Sequence, residues 1–271
     1  MEKVSFLMTV YNAEESINEV LDNILNQTYY NFELIIVNDG STDNSVNIIN
    51  SYVKKDNRVV FINRNKNKGR LYSLNEGLSK CTTEYIFIND SDDVSTINRV
   101  EIIMRYYNSF SDNEKDKIGM ISGSGILRNN IDNSEYKYVF KRGFFRGNEN
   151  GVVSKLKLYT TNPFIHSAVM YKKSAIDKIG GFPKEVTSSI DYFTIVKVSK
   201  YFYVYGIQDI VVTRFITGNN FFMRKDITEK NKENMKKIKR WIKEEIRFGK
   251  VYFTFSNCIN KLFEVKNKLK N

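Results

Sequence analysis

The chain has 271 residues, 41% of them hydrophobic and 14% aromatic, with 42 Lys and Arg against 31 Asp and Glu for a net charge of +11. That length and apolar share are enough to bury a full core, which excludes a globally disordered chain. Its two cysteines, Cys81 and Cys258, lie far apart and exclude a disulfide framework or a cysteine-built zinc site, so a reducing compartment fits best.

In chain order, Val4–Val10 is a short apolar run that reads as a strand. Ile17, Val20, Leu21, Ile24 and Leu25 follow at the spacing of an amphipathic helix. Glu33–Val37 is a second strand, ending in the turn-rich Asn38-Asp39-Gly40-Ser41-Thr42-Asp43, and Val46, Ile49 and Val53 line the next helix. Arg58–Ile62 reads as a third strand, Arg70–Leu78 as a helix, and Tyr85–Ile88 as a fourth strand running into Asn89-Asp90-Ser91-Asp92-Asp93. A helix over Thr96–Tyr107 closes this half. Strand–helix alternation with short links predicts an α/β fold, a parallel sheet with helices on both faces. Ligands of such sheets bind beyond the carboxyl ends of the strands, where the polar clusters after the first, second and fourth strands converge.

Beyond residue 115 the order loosens. Ile118–Leu127, Tyr136–Phe140 and Phe164–Tyr171 read as strands, Gly180-Gly181-Phe182-Pro183 as a sharp turn, and Ile190–Lys200 as a helix. Strands follow near Phe202–Tyr205 and Ile210–Ile216. A long basic helix over Asp226–Phe248 carries Met235, Ile238, Ile242 and Ile246 on one side. The expected organisation is a domain over 1–223 in two halves (1–108 and 109–223), with a basic helical extension over 224–271.

Charge is concentrated in that extension. Arg224 to Asn271 holds 15 Lys and Arg against 6 Asp and Glu, or +9, which leaves +2 for the rest. A basic tail on a near-neutral body reads as a docking device for something anionic. Lys236-Lys237-Ile238-Lys239-Arg240-Trp241-Ile242-Lys243 suits either an interfacial segment on anionic lipid or a solvated helix packed on the domain. No nucleic-acid motif accompanies the charge, so nucleic acid is not an expected partner. The apolar run at the N-terminus is too short for a secretion signal, and no window approaches the roughly 18 apolar residues of a membrane span. The expected location is cytoplasmic, with surface attachment at the inner face of the membrane left open.

Asp90-Ser91-Asp92-Asp93 closes an apolar strand, where three carboxylates repel one another without a cation. Hard, oxygen-binding Mn²⁺ or Mg²⁺ suits such a place, completing its shell with water and phosphate oxygens. A solvated loop ahead of a helix is the plainer reading. Asp39 can accept the N3–H of uracil or merely form an Asx-turn, and Tyr11 and Asn12 can stack on and bond the same base. Asn67-Lys68-Gly69-Arg70 offers close backbone approach and cations for a diphosphate.

Five tracts occur together in one order: TVYNAEE, VNDGSTDNS, NKNKGRLYSLNEG, FINDSDD and IGGFPKE followed by SSIDYF. The set closely resembles the family 2 glycosyltransferases, which have the GT-A fold and invert the anomeric carbon. The match is strong over residues 1–108, patchy to about 217 and absent in the tail. The resemblance implies that Thr9, Tyr11, Asn12 and Glu14 line a nucleoside pocket, that Asp39 holds the base, and that Gly69 and Arg70 lie near the nucleotide. It further implies a nucleotide-binding half over 1–108 and an acceptor and sugar half over 109–223, with Asp90 at the ribose, Ser91 at the nucleotide, Asp92 as ligand to Mn²⁺ or Mg²⁺, and Asp191 as catalytic base. The implied partners are a nucleotide-sugar donor, probed first as a UDP-sugar, and a glycan or lipid-linked acceptor in cell-surface polysaccharide synthesis.

Two departures weigh on this. Ile190 stands where the family's acidic pair usually begins with Glu, so Asp191 remains as the base with Glu185 a lesser substitute, and in Val212-Thr213-Arg214-Phe215-Ile216 Ile216 stands where a His often contacts the metal. Both departures favour the alternative of an inactive scaffold that binds sugar nucleotide or glycan. His166, the one histidine, either reaches the sugar or acceptor or is a hydrogen-bonded histidine at a sheet edge.

Overall fold

A computed structural model describes residues 1–138, 150–216 and 225–245. The expected helix beyond Glu245, the end of the strand expected over Tyr136–Phe140, Ile246 and Cys258 lie outside the described residues. The first half alternates as expected: β1 (Val4–Val10), α1 (Ile17–Leu25), β2 (Phe32–Asn38), α2 (Ser45–Val53), β3 (Val59–Asn63), α3 (Arg70–Lys80) and β4 (Tyr85–Ile88). Then come β5 (Asp93–Ser95), α4 (Arg99–Asn108), α5 (Asp112–Lys115), β6 (Ile118–Asn129), β7 (Glu135–Tyr138), β8 (Gly151–Val152) and α6 (Lys155–Thr160). β9 (Val169–Lys172), α7 (Lys173–Lys178), α8 (Ile190–Tyr201), β10 (Tyr203–Ile216) and α9 (Lys225–Glu245) complete the described chain.

All these strands form one sheet in the order β3-β2-β1-β4-β9-β6-β10-β5, with β7 on β6 and β8 on β10. β3, β2, β1 and β4 run parallel. β9 is antiparallel to both β4 and β6, so the second half of the sheet is mixed. β1 and β2 read as unbroken apolar runs because both of their faces are covered. Side chains alternate between faces: Leu7, Ile35, Ile86 and Ile88 enter one apolar cluster with α3, α7 and α8. Phe6, Met8, Leu34, Ile36 and Phe87 enter the other, with α1, α2 and α4.

Two expectations are corrected. Phe164–Tyr171 is not one strand, because His166–Ala168 forms a 3₁₀ turn ahead of β9. Ser167 causes the break: its hydroxyl bonds Asp90 and Asp93, folding the chain onto the acidic loop instead of the ladder. The strands expected near Phe202–Tyr205 and Ile210–Ile216 are one, β10, whose register on β6 shifts between Gly206 and Val212. That shift lets the polar Gln208-Asp209 pair pass through without ending the strand.

On α9, Ile238 and Ile242 belong to the main core, with Met235 and Trp241 packed against it. Its apolar side is therefore used within the domain, while Lys232, Lys236, Lys239, Arg240 and Lys243 are exposed. No described helix is long and apolar enough to cross a membrane. Cys81 is buried and free.

Candidate active site

β1, β2 and β4 end at one edge of the sheet, and the loops after them meet there. The Asp90 backbone N–H donates to Ser167 Oγ at 3.0 Å, and the same hydroxyl donates to Asp93 Oδ2 at 2.5 Å. Asp93 is nearly inaccessible, and its Oδ1 has no hydrogen-bond partner among the described residues. Asp90, Asp92 and Asp93 each present an oxygen within 4.8 Å of the others. Below them Arg99 is fully buried, donating to Asn89 Oδ1 and Ser95 Oγ at 3.1 Å, to Ile88 O at 2.9 Å and to Val169 O at 3.0 Å. It pins β4, β5 and β9 under the acidic loop and counters its charge.

Burial pushes the Asp90 carboxyl up, but Arg70, His166 and Arg214 more than offset this and hold it below the ordinary carboxylate value. Asp92 is exposed, yet crowding by protein atoms and the Asp90 charge raise it. Burial and then Asp90 push Asp93 up to about 8. An orphaned buried oxygen within a tight set of carboxylates is the donor set that Mn²⁺ or Mg²⁺ takes, so these residues fit a divalent cation.

Arg70 bridges the cluster to His166: one guanidinium nitrogen pairs with Asp90 Oδ1 and lies 2.9 Å from His166 Nδ1. Burial and Arg70 push His166 down to about 4, so the ring is neutral. A guanidinium only donates, which makes Nδ1 the acceptor and puts the ring proton on Nε2, an atom with no partner among the described residues. The histidine is thus buried in a turn beside the acidic loop, not at a sheet edge.

Arg70, Asp90, His166, Asp191, Arg214 and the segment from Thr187 to Ile190 line one cleft of about 450 Å³, counting its open mouth. Asp191 stands in the first turn of α8 and accepts from Asn162 Nδ2 at 2.8 Å. Ile190 is buried in the main core. Glu185, the alternative base, holds Lys197 at 2.6 Å and is absent from the cleft lining.

The other residues singled out in the sequence lie outside that lining. Asp39 is buried, with Oδ1 taking Arg64 Nη1 and the Lys68 N–H, both at 2.8 Å. Its Oδ2 carries no hydrogen bond among the described residues. Gly69, at φ +92, caps α3 in a conformation that favours glycine and starts the helix carrying Arg70. Asn12 Oδ1 accepts from the Thr42 N–H at 2.8 Å, and Glu14 Oε2 from the Asn44 N–H at 2.9 Å. These two lash the loop after β1 to the loop after β2. Tyr11 is exposed, and Thr9 pairs with Val37 in the ladder. The Ser91 carbonyl accepts from Ser16 at 2.8 Å.

Sequence reasoning missed Arg64, Arg99, Asn162, Ser167 and the cleft position of Arg214. Arg214 lies in a tract already singled out for the absence of a histidine, so a signal existed for it. Nothing in the sequence marks Asn162, which is chosen by a contact with a residue 29 positions away.

Residues 5–180 match the sequence profile of glycosyl transferase family 2. An uncharacterized glycosyltransferase of Haemophilus influenzae is 37% identical over 135 residues, covering 46% of this chain and 54% of the relative. A poly(ribitol-phosphate) beta-glucosyltransferase of Bacillus spizizenii is 28% identical across 97% of this chain and 42% of its own length. The chain therefore spans about half the length of the curated relatives it matches. Among solved structures, S. aureus TarS 1–349 in complex with UDP-GlcNAc superposes with a TM-score of 0.63 at 20% identity, covering 92% of this chain and 68% of that one. The mannosyltransferase PcManGT from Pyrobaculum calidifontis in complex with GDP-Man and Mn²⁺ gives 0.64 at 19%, covering 92% and 65%. These likenesses show the fold, and the profile match over well over half of the residues shows the lineage: the chain belongs to glycosyl transferase family 2.

Proposed function

We propose that this chain is an inverting glycosyltransferase that moves a sugar from a UDP-sugar to a hydroxyl of a glycan or lipid-linked acceptor in cell-surface polysaccharide synthesis. The observation that carries the reading is one cleft in which Asp191 shares the lining with Asp90 and the guanidinium groups of Arg70 and Arg214. Transfer from a nucleotide-sugar needs positive charge around a departing diphosphate and a base beside an attacking hydroxyl. In this reading Asp191 takes the acceptor proton, with Asn162 holding one of its oxygens. A single displacement without a covalent intermediate inverts the anomeric centre.

Asp92, with Asp90 and Asp93, holds Mn²⁺ or Mg²⁺, which when bound supplies Lewis-acid neutralisation of the diphosphate charge. Arg70 and Arg214 add fixed charge there, and Asp90 and Ser91 border the ribose. The unbonded oxygen of Asp39 accepts the uracil N3–H, Tyr11 stacks on the base, and Thr9 and Gly69 allow close approach. Asn12 and Glu14 act through the loop they hold. Neutral His166 can donate from Nε2 to the sugar or acceptor after a small shift. The UDP-GlcNAc complex of TarS and the poly(ribitol-phosphate) beta-glucosyltransferase support a UDP-sugar donor and a polymer acceptor. A cytoplasmic setting at the inner membrane face follows, with the exposed basic side of α9 and residues 246–271 attracted to anionic lipid headgroups.

The test is nucleotide release from a panel of UDP-sugars with Mn²⁺ or with chelator. Asp191→Asn lowers turnover about 10²–10⁴-fold, and Asp92→Ala removes the metal dependence, both with unchanged melting. Full turnover in both variants defeats the proposal. Ile190, buried where the family usually has Glu, favours a second reading as a scaffold that binds sugar nucleotide. Calorimetric UDP binding with no release from any donor would establish it.

A further inference from the structure

Asn234 is a buried amide on the apolar side of α9, next to Met235 and one turn from Ile238. A leucine there would extend the apolar stripe, whereas an amide costs stability unless it is bonded. The bond it makes is specific: Nδ2 donates to Ser188 Oγ at 2.7 Å and lies 3.4 Å from Thr187 Oγ1. Both hydroxyls belong to the segment that lines the cleft immediately before Asp191.

That segment needs an outside restraint. Ser189 sits at φ 55 and ψ 32, left-handed backbone that a serine rarely adopts. As N-cap of α8 it makes no side-chain capping bond, so the first turn, which carries Asp191, lacks the usual local anchor. α9 grips both ends of this arrangement. Asn234 holds Ser188, while Trp241 packs edge-on against Phe193 of α8 at 5.4 Å, with Lys197 5.9 Å and Lys200 5.8 Å from the Trp241 ring.

We propose that α9 is a working part of the active site, with Asn234 the positioning residue that sets the Thr187–Asp191 segment. The inference rests on Asp191 being the base. A misplacement of about 1 Å costs up to about 10²-fold in rate, so the bond acts on turnover and not on the nucleotide, which is held from the other side by the loops after β1, β2 and β4.

Turnover is read as UDP release from the UDP-sugar that serves as donor, and nucleotide affinity as calorimetric binding of UDP with Mn²⁺. Asn234→Leu lowers turnover tenfold or more, leaves UDP affinity within about twofold of wild type, and keeps or raises the melting temperature. Ser188→Ala removes the same bond from the other side and reads the proposal if Asn234→Leu does not fold. The double variant loses no more than either single one, because both delete one interaction. Wild-type turnover in a folded single variant, additive losses in the double, or a joint fall of turnover, UDP affinity and melting temperature overturns the proposal. Asp191→Asn is measured beside them. If it keeps full turnover the base assignment fails and takes this inference with it; if it loses turnover while Asn234→Leu does not, the inference alone fails.

Discussion

Glu33 shows how much a single side chain can carry away from the cleft. It lies almost wholly inside, at the start of β2, and both oxygens are engaged. Oε1 accepts from Ser5 Oγ at 2.6 Å and the Thr82 N–H at 2.7 Å, and Oε2 from Thr82 Oγ1 at 2.8 Å and Lys3 Nζ at 3.0 Å. Burial pushes its carboxyl up, but these donors more than offset that and leave it below the usual value. Glu33→Gln keeps the shape, loses the charge and turns an N–H₂ towards donors, at a cost of about 1–3 kcal/mol. The sign follows from linkage: a depressed folded value gives stability that is complete above the unfolded value, about 4.3, and disappears as pH falls through the folded one. Urea midpoints of wild type and Glu33→Gln therefore differ fully at pH 7 and converge below about pH 4. A difference that persists unchanged at pH 3 rules out this role. Glu33 was legible only as a strand residue, because its four donors come from three residues in two distant stretches of the chain. The aspartates after β2 and β4 were legible because they follow apolar runs. Their partners Arg64, Arg214 and Ser167 were not, because only the packed sheet brings them together.

Loops, more than helices or strands, set the site. The segment after β2 turns at Gly40, whose φ is +75, and a Cβ there would sit 2.6 Å from the backbone of Lys66 and Asn67. That close approach brings the next loop near enough for the Lys68 N–H to reach Asp39. Gly40→Ala meets a strained conformation and a backbone clash together, so it costs about 1–3 kcal/mol. It also moves Lys68 away from Asp39, and calorimetry then finds UDP binding weakened by about tenfold or more, the equivalent of one lost charge-assisted hydrogen bond. Unchanged UDP affinity would separate Asp39 from nucleotide recognition. The sequence marked this loop as a turn because Asn, Asp, Gly and Ser each favour one. It gave no hint of the 3₁₀ turn at His166, where apolar residues flank the break and read as a strand. There a tertiary bond from Ser167 overrides local propensity.

Across the whole molecule, legibility falls where pairing stops being sequential. β1 to β4 are linked by helices and pair as parallel neighbours, so periodicity alone recovers them. β5, β6, β8 and β10 pair across long separations, and β5 is three polar-edged residues that no alternation reveals. The cleft lies where these halves meet, since Asp90 and Arg70 come from the first and Asp191 and Arg214 from the second. In the proposed function a nucleotide bridges them with a divalent cation; binding only the folded chain, it would stabilise by RT ln(1 + [L]/Kd), about 2.7 kcal/mol at a hundredfold excess over Kd. For a chain of this size that raises the melting temperature by about 5–10 °C. UDP alone gives a smaller rise and Mn²⁺ alone less still, because the cluster without phosphate already has Arg70 on Asp90. Asp92→Ala keeps the shift caused by UDP alone and loses the increment that Mn²⁺ adds, whereas Asp39→Ala reduces the shift whether or not Mn²⁺ is present. If Mn²⁺ and Mg²⁺ add nothing to the UDP shift of the unaltered protein, the three aspartates are a proton-sharing structural cluster, and Arg70 and Arg214 neutralise the diphosphate alone.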